Sequence, residues 1–546
     1  MTPRRRLAGI GAFALASALV LSACGGGGGD NTDTGEGGDA GATEGGATTG
    51  IVTVNGTEPQ NPLTPGMTNE VGGGLAVKNI FAGLVYYDAE GATHYEMAES
   101  IESEDNQNWT ITIQDGWTFS DGTPVTAQSY VDAWKYTALL SNGQNQQYFF
   151  HDFAGWSETE DSEIAVEVVD DHTFTVELAF PNAEFERTLG YTAFMPMPEV
   201  FFETPDIYSD APVGNGPYVV ESWEHENVIS LRPNPDYTGP RTPQNGGIDI
   251  VIYTDENTAY NDLLSDNLDI ITNVPASAFQ TFESDLGDRA VNQPAAVIQV
   301  IQVPAWLPEF EGEAGNLRRQ AISKAIDREQ VTETVFAGTR TPATDFTSPV
   351  IDGYSEDIPG SEVLQYDPEG AKQLWDEAEG MDPLGDYTLQ LASNADSDHQ
   401  TWVEAVCNNI RTVLEIECEF YPYPTFAEFL DARDAGEVPG LFRGGWQADW
   451  PAMSNFLGPV YGTGAGSNDM QYSNEEFDAK LTEAGAAESP EEATELYKEA
   501  QEILFRDLPG IPLWYNNATA GYAATVDNVQ FGWDSDPILH EVTKSE

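Results

Sequence analysis

Trp117-Thr118-Phe119-Ser120-Asp121-Gly122-Thr123-Pro124-Val125-Thr126-Ala127 marks a change from strand to helix in this chain. Residues 121–124 have the composition of a turn, because Asp and Gly tolerate turn dihedrals and Pro presets φ. Thr126 is a suitable N-cap, and Tyr130, Trp134 and Ala138 after it share one helical face. Before the stretch, residues 109–113 alternate with the period of a half-buried strand. The segment therefore predicts a strand, a turn and a helix in that order.

The same mixture extends in both directions and predicts an α/β chain. Strand patterns occur at 51–54, 164–169, 173–180 and 248–253. The second half is richer in helix, and Asp367 and Ser489 each precede a proline at the first helical position. Asn316 predicts the cap of another helix, which stops near Gly338.

Length and charge limit the possible partners. A chain of 546 residues is too long for one core, so we expect two or more domains. Its 91 acidic residues against 22 Lys and Arg give a net charge of −69. Such a surface repels phosphate backbones and anionic lipids, so we expect no nucleic-acid partner and no electrostatic binding to a membrane.

The amino terminus has the pattern of an exported lipoprotein. Arg4-Arg5-Arg6 precedes an apolar run at 7–21 that is shorter than the ~20 residues of a membrane span. Leu21-Ser22-Ala23-Cys24 resembles the lipobox of bacterial lipoproteins, which predicts a signal peptide at 1–23 and a lipid on Cys24. Residues 24–50 comprise the modified cysteine and a Gly-rich tract. They predict a flexible linker with a typical span of about 28 Å. An ordinary signal peptide with an incidental cysteine is the alternative.

The two other cysteines predict one disulfide. Cys407 and Cys418 remain once Cys24 is lipidated, and a cysteine pair in an exported protein is usually bridged. Two buried free thiols are the alternative.

Motifs for catalysis or metal binding are missing from the sequence. The six histidines form no HExxH and no pair with helical metal-ligand spacing, and no G-x-S-x-G elbow occurs. The glycine-rich residues 462–466 lack the Lys-Ser/Thr pair of a phosphate loop. We therefore predict that the protein is not an enzyme and that it needs neither a metal nor a cofactor.

Arg443-Gly444-Gly445-Trp446-Gln447-Ala448-Asp449-Trp450-Pro451 is the strongest candidate for a ligand site. A single acid, Asp449, lies among indole side chains, where a carboxylate is costly to desolvate unless a cation or several donors meet it. Gly444 and Gly445 permit a close backbone approach from one side. The alternative is a loop acid that caps a neighbouring helix.

Seven motifs occur in order from about Ile51 to the C-terminal end. They lie at 94–100, 117–127, 214–218, 231–237, 317–328, 366–369 and 509–513. Together they resemble the solute-binding proteins of bacterial ABC importers, in particular the oligopeptide- and dipeptide-binding family 5. The segment 117–127 matches the pattern F-x-D-G-x-P-V-T-A, whereas Asn215 replaces the usual Thr and Pro233 the usual Asn. Residues 317–328 carry one residue more than the family pattern.

The resemblance implies a two-lobed α/β fold of the periplasmic-binding-protein type (type II), with an extra small domain beside lobe I. It implies that lobe I comprises 51–94, 211–300 and 516–546, that the small domain is 95–210 and that lobe II is 301–515. Chain crossings near Val300 and Pro512 would form a hinge that closes over the ligand.

The resemblance also implies a ligand. Peptide-binding members hold the α-ammonium with an acid in a segment like W-x-A-D-Y, which matches residues 446–450 with Trp450 in place of the tyrosine. Asp449 is therefore expected to bind an ammonium, and Trp446 and Phe426 to line the pocket or to pack in the core of lobe II. Arg443, six residues before Asp449, would share its face in an extended strand and meet a ligand carboxylate or form a structural ion pair.

The implied function is capture of peptides for an importer. The partners would be a peptide, the ABC permease and its ATPase subunits, and the protein would be a monomer held at the extracytoplasmic face of the membrane by its lipid. A sugar, an opine or a metal chelate is the alternative ligand, and a surface-anchored sensor, chaperone or enzyme is the alternative class.

Replacing the lipobox cysteine tests the anchor. Cys24→Ala removes the acceptor thiol, so we expect the protein to move from the membrane fraction to the soluble fraction or the medium. Fractionation followed by immunoblotting measures this, with Cys407→Ala as the control that leaves the lipobox intact. Retention of the Cys24→Ala protein in membranes would contradict a lipid anchor at this residue.

Overall fold

The computed structural model describes residues 50–204, 211–397 and 399–545. The predicted signal peptide, Cys24 and all of the linker except Gly50 lie outside the described residues. In the ranges that are described, no helix combines the length and the apolar character needed to cross a membrane.

The strands are β1 (Ile51–Gly56), β2 (Val85–Tyr87), β3 (Thr93–Tyr95), β4 (Ala98–Ser103), β5 (Asn108–Ile113), β6 (Val166–Val168), β7 (Thr173–Glu177), β8 (Tyr218–Glu224), β9 (Val228–Pro233), β10 (Gly247–Ile252), β11 (Ile270–Ile271), β12 (Ala290–Gln302), β13 (Arg340–Pro342), β14 (Thr388–Asn394), β15 (Glu417–Tyr423), β16 (Leu441–Gln447), β17 (Gly510–Tyr522), β18 (Val526–Asp527) and β19 (Thr543–Lys544).

The α-helices are α1 (Val71–Ile80), α2 (Ala127–Ala138), α3 (Phe185–Thr188), α4 (Glu199–Glu203), α5 (Glu256–Leu264), α6 (Phe282–Leu286), α7 (Gly312–Ala325), α8 (Arg328–Phe336), α9 (Pro368–Met381), α10 (His399–Leu414), α11 (Phe426–Asp434), α12 (Met453–Tyr461), α13 (Glu475–Gly485) and α14 (Pro490–Asp507).

One large mixed sheet runs through the protein. Its strand order is β15-β14-β16-β12-β17-β11-β1-β10-β9-β8, and β13 also pairs with β17. A separate antiparallel sheet of order β4-β5-β7-β6 lies in the range predicted for the small domain.

The antiparallel pair β12 and β17 joins the two halves of the large sheet. Each strand is 13 residues long, and their neighbours are β16 on one side and β11 on the other. Val300 pairs with Pro512, the two positions near which the chain is predicted to cross between lobes. The register slips between Pro294 and Ile298 and again between Gln299 and Val300. That this pair acts as a hinge stays a prediction.

Two large hydrophobic cores flank the crossing strands. One is built mainly from residues 296–515, and the other mainly from 52–291 together with 520–542. The second core also contains Ile111, Trp134 and Phe174, so the four-stranded sheet and α2 pack continuously against it. The predicted α/β architecture with two lobes is confirmed, whereas the residue limits of the lobes and the small domain stay predictions.

The turn and helix predicted from residues 117–127 are present. Gly122 has φ +84°, and its N–H donates to the Phe119 carbonyl oxygen at 2.9 Å. Thr126 is the N-cap of α2, and its amide donates to the Ser129 hydroxyl at 3.2 Å. Asp367 and Ser489 likewise cap α9 and α14.

The prediction of one helix from Asn316 to about Gly338 is wrong. α7 begins at Gly312, and Asp327 then caps a second helix, α8, with its side chain accepting from the Gln330 amide at 3.0 Å. The Asn316 side chain instead donates to the Arg506 carbonyl oxygen at 2.8 Å, so it makes a tertiary contact within α7.

The structure contains the predicted Cys407–Cys418 disulfide, with the two Cα atoms 5.1 Å apart. Cys407 lies in α10 and Cys418 in β15, and both are buried in the first core. The bridge therefore ties the helix to the edge of the large sheet.

Candidate functional site

A cavity of about 680 Å³ lies beside the crossing strands. Its lining includes members of both cores, such as Leu75 and Ala448. It also includes Val297 of β12, Asn516 of β17 and the carboxyl end of β16. This volume lies within the range of small-ligand sites. It is the natural candidate for a binding site because Asp449 also lines it.

Strand β16 delivers Asp449 to the cavity. Its residues pair antiparallel with β12 as far as Gln447 and Val297, and the Ala448 amide then donates to the Ala296 carbonyl oxygen at 2.9 Å. A Cβ atom on Gly444 would lie 2.7 Å from the Gln302 side chain, and one on Gly445 would lie 2.9 Å from the Ile298 carbonyl oxygen. The two glycines therefore allow the close approach that the sequence predicts, and Asp449 emerges just beyond the strand.

Asn455 at the start of α12 holds the Asp449 segment. Its amide oxygen accepts from the Asp449 backbone N–H at 2.9 Å and from Trp446 Nε1 at 3.0 Å. Its amide nitrogen donates to Asp449 Oδ2 at 3.4 Å, and Tyr191 also hydrogen-bonds the carboxylate. Trp446 is thus fixed beside Asp449 by the same amide that positions the carboxylate.

Aromatic side chains surround the Asp449 carboxylate. Burial raises the pKa values of Tyr87, Tyr148 and Tyr191, and the Asp449 charge adds to the rise in each. Trp450 packs 6.5 Å from the Tyr191 ring centroid. Across all residues that the structure describes, no Lys, Arg or His forms an ion pair with this carboxylate. Burial raises the pKa of Asp449 from 3.8 to about 7, although the bonds from Asn455 and Tyr191 oppose the shift.

Among the described residues, Asp449 therefore has no counter-ion. The side chain is half-buried, because one face remains open to the cavity while protein atoms displace most of the surrounding water. A carboxylate in such a place gains most from a cation that enters the cavity. The alternative interpretation as a helix cap is not supported, because Ala452 is the N-cap of α12.

The other predicted site residues divide into two groups. Trp446 and Trp450 flank Asp449, and Trp450 also packs 6.1 Å from the Phe149 ring centroid. Trp450 Nε1 is buried and has no hydrogen-bond partner among the residues that the structure describes. Arg443 and Phe426 instead contact each other, with the guanidinium carbon 6.0 Å from the ring centroid. Of the five predicted site residues, Asp449 belongs to the lining of the main cavity, whereas Trp446, Trp450, Arg443 and Phe426 do not.

The structure changes the interpretation of Arg443. β16 ends at Gln447, so strand alternation does not by itself place Arg443 and Asp449 on one face. Arg443 makes no ion pair with any acid in the described ranges, and burial and Arg433 lower the pKa of its guanidinium. Its Nε is buried and finds no hydrogen-bond partner within the described ranges.

Several residues of the cavity were not predicted from the sequence. Tyr191, Arg340 and Asn516 come from distant segments and meet only in the folded chain. The chain offers one signal that could have identified Asn516 as a cavity residue. Asn516 and Asn517 interrupt a strand whose residues on both sides are buried. A polar pair in a buried strand indicates a place where the strand borders a cavity.

The comparisons with known proteins agree with this fold. The model of the bacterial extracellular solute-binding proteins, family 5 (middle), matches residues 92–468, more than half of the chain. The oligopeptide-binding protein OppA of Bacillus subtilis is 28% identical over 530 residues, which cover 92% of each chain.

Solved structures resemble the whole architecture. The unliganded open form of the periplasmic murein tripeptide-binding protein MppA has a TM-score of 0.78 at 22% identity, covering 91% of this chain and 97% of that one. The periplasmic binding protein DppA of Helicobacter pylori, in complex with the peptide STSA, has a TM-score of 0.72 at 18% identity and covers 92% and 99%. At these identities the likeness shows the fold.

The ionisation of Asp449 can be measured directly. In the ligand-free protein we expect its carboxyl carbon to titrate near pH 7, because burial disfavours the charged form. Carbon-detected NMR of protein labelled at aspartate measures the midpoint, and Asp449→Asn identifies the signal by its loss. A midpoint below about pH 5 would contradict a desolvated carboxylate.

Proposed function

Because this chain belongs to the bacterial extracellular solute-binding proteins of family 5, we propose that it captures peptides in the cavity beside β12 and β17 and delivers them to an ABC permease. The observation that carries the proposal is the Asp449 carboxylate, which faces the cavity and has no counter-ion in the described part of the chain. The α-ammonium of a peptide supplies that counter-ion.

Peptide recognition suits the polar groups of the cavity. A peptide offers backbone amides to side chains such as Asn516 and Asn517, while the aromatic residues near Asp449 cover apolar surface of the ligand. A neutral sugar would leave the carboxylate unpaired, so we infer that sugars are poor ligands. An opine, a metal chelate or a sensor role has no separate observation in its favour.

The remaining site residues enter the proposal with different roles. Trp446 and Trp450 lie next to Asp449 but outside the lining of the main cavity, so they would support the ammonium site by packing beside Asp449. Arg443 and Phe426 would meet a ligand only outside the main cavity, as a stacked pair at 6.0 Å. We assign no metal and no cofactor to the site.

Delivery requires a change that the permease can detect. We propose that lobe I, with the small domain, closes on lobe II about β12 and β17, within the ranges predicted from the sequence. Ligand binding favours closure through contacts that are better in the closed state. The protein would act as a monomeric, non-enzymatic lipoprotein, held outside the cell membrane by Cys24 and the linker at 24–50.

Removing the charge from either side tests the ammonium site. Asp449→Asn keeps the shape but leaves a buried ligand ammonium unpaired, so we expect affinity for a free peptide to fall by roughly 30-fold to 5,000-fold. N-acetylation of the peptide removes the partner charge and should weaken binding to the wild type by a similar factor. The two changes should not add, because both break one interaction.

Isothermal titration calorimetry on the four combinations measures this coupling. The matched control is Asp352→Asn, an exposed acid outside the main cavity, which should bind both peptides as the wild type does. Equal affinity of wild type and Asp449→Asn for the free peptide would remove Asp449 from the ligand site.

A further inference from the structure

A second contact, separate from the crossing strands β12 and β17, joins the two lobes. The segment 181–191 contains α3, and its Phe185 and Leu189 belong to the second core, that of lobe I. Two residues before Phe185, Ala183 is instead buried in the first core, that of lobe II. In the opposite direction, Trp450 follows β16 and packs against the second core. Each lobe therefore places a side chain in or against the core of the other.

Hydrogen bonds from the lobe I side satisfy the carboxyl end of α13. The Ala183 amide donates to the Gly485 carbonyl oxygen at 2.9 Å, and the Asn106 side-chain amide donates to the Ala487 carbonyl oxygen at 2.6 Å. The last carbonyl groups of a helix lack donors within the helix, so these two bonds supply what α13 needs. The Asn106 carbonyl oxygen also accepts from the Asn182 amide at 2.8 Å, which fixes the segment to its own lobe.

Backbone packs on backbone where the segment meets α13. A Cβ atom on Gly485 would lie 2.5 Å from the Pro181 carbonyl oxygen, and the next two atoms that it would approach belong to Pro181 and Asn182. The φ of Gly485 does not lie in the left-handed region, so α13 itself does not require a glycine at this position. This glycine therefore serves the contact between the lobes.

A buried carboxylate lies within the same contact. Glu184 is 1% exposed, Ser454 of α12 donates to its carboxylate, and the Arg187 guanidinium lies 3.7 Å away. Burial raises the pKa of Glu184, although Ser454 and Arg187 oppose the shift, and its Oε2 has no hydrogen-bond partner among the described residues. Water that reaches Glu184 when the lobes separate removes this desolvation cost. The contact is therefore easier to break than an apolar one of the same extent.

An ion pair at the edge of the contact contributes little to it. Arg187 Nη2 lies 3.0 Å from Asp352 of lobe II, but the Asp352 side chain is 69% exposed. Exposed pairs of this kind contribute little to stability. Asp352→Asn therefore leaves the contact intact and remains a suitable control for the binding experiment.

The contact begins at the cavity. Tyr191 and Asp449 both line the cavity, and the Tyr191 hydroxyl donates to the Asp449 carboxylate from the other lobe. From this pair the two chain segments stay together as far as Glu184 and Ser454. The contact thus closes one side of the cavity, next to the carboxylate to which the proposed ligand ammonium binds.

We propose that residues 181–191, with 449–454 and 485–487, form a latch that holds the two lobes together before a ligand binds. The inference rests on the closing motion in the proposed function, and it depends on no particular ligand. A protein whose lobes are already joined spends less of the ligand's binding free energy on closure, so its apparent affinity is higher. Release of the ligand to a permease then requires the latch to separate, which the buried carboxylate of Glu184 makes easier.

Hydrogen exchange of the ligand-free protein tests the latch. Bound molecules are removed from the full chain by unfolding in guanidinium chloride and refolding, and mass spectrometry with electron-transfer fragmentation follows the Ala183 amide. We expect slow exchange in the wild type. Gly485→Ala should accelerate it by about 10-fold or more, because the added Cβ does not fit against Pro181. Alanine favours a helix more than glycine does, so the substitution does not weaken α13 itself.

Two further variants separate the latch from a general loss of stability. Gly380→Ala is the matched control, because Gly380 lies near the carboxyl end of α9 and its Cβ would meet no described atom within 4 Å. It should keep the wild-type exchange rate at Ala183. Asn106→Gly tolerates the φ of +56° but removes the donor to Ala487, so we expect exchange at Ala183 to accelerate about 3-fold to 10-fold. Circular dichroism melting verifies that each variant is folded.

Double electron–electron resonance measures whether the lobes move apart. Spin labels are attached at Val169→Cys, beside the second core, and at Met381→Cys, at the end of α9, two positions that are exposed. The labelled chain also carries Cys24→Ala, and Cys407 and Cys418 are bridged, so neither of them reacts. Without ligand we expect a narrow distance distribution in the parent chain and in Gly380→Ala. Gly485→Ala should give a broader distribution with a shifted mean.

Three outcomes would overturn the latch. The first is exchange of Ala183 in the wild type at the rate of an unstructured amide, and the second is an unchanged rate in Gly485→Ala. The third is faster exchange in Gly485→Ala with the label distances of the parent chain, because the contact would then be local packing. Since no ligand is present, each of these outcomes leaves peptide capture standing. Conversely, a protein that shows the latch but binds no peptide in calorimetry refutes the proposed function alone.

Discussion

The antiparallel pairing of β12 with β17 is the constraint on which the rest of the structure depends. Both strands are 13 residues long, and most of their residues are buried because cores lie on both sides. β16 and β13 pair with these two strands, which brings Asp449, just beyond β16, and Arg340 of β13 to the same cavity. The polar interruption at Asn516 and Asn517 falls where the pair borders the cavity.

The arrangement explains how a highly acidic protein can recognise a ligand by charge. Most charged groups that line the cavity are paired with opposite charges of the protein. They therefore shape the cavity and attract a charged ligand only weakly. The buried carboxylate of Asp449 carries a desolvation cost in the free protein, and a ligand ammonium removes that cost. Retaining an unpaired charge in a cavity is typical of functional sites, where local stability is sacrificed for binding.

Local features of the fold could be predicted from the sequence, and long-range ones could not. Caps such as Thr126, Asp367 and Ser489 act through neighbouring backbone groups, so a few residues suffice to predict them. Asn316 was misinterpreted because its side chain serves a contact with Arg506, 190 residues away. Asp449 could be predicted from the aromatic residues around it in the sequence. Arg340 could not, because only its pairing with Asn516 brings it to the cavity.

Identification of the naturally bound ligand tests the central claim most directly. The protein would be purified without denaturation from cells in which it is produced, its ligand released with acid, and the released molecules sequenced by tandem mass spectrometry. Capture of peptides through their charged ends predicts a ladder of short peptides with varied side chains and free termini. A single sugar, opine or chelate mass would contradict it.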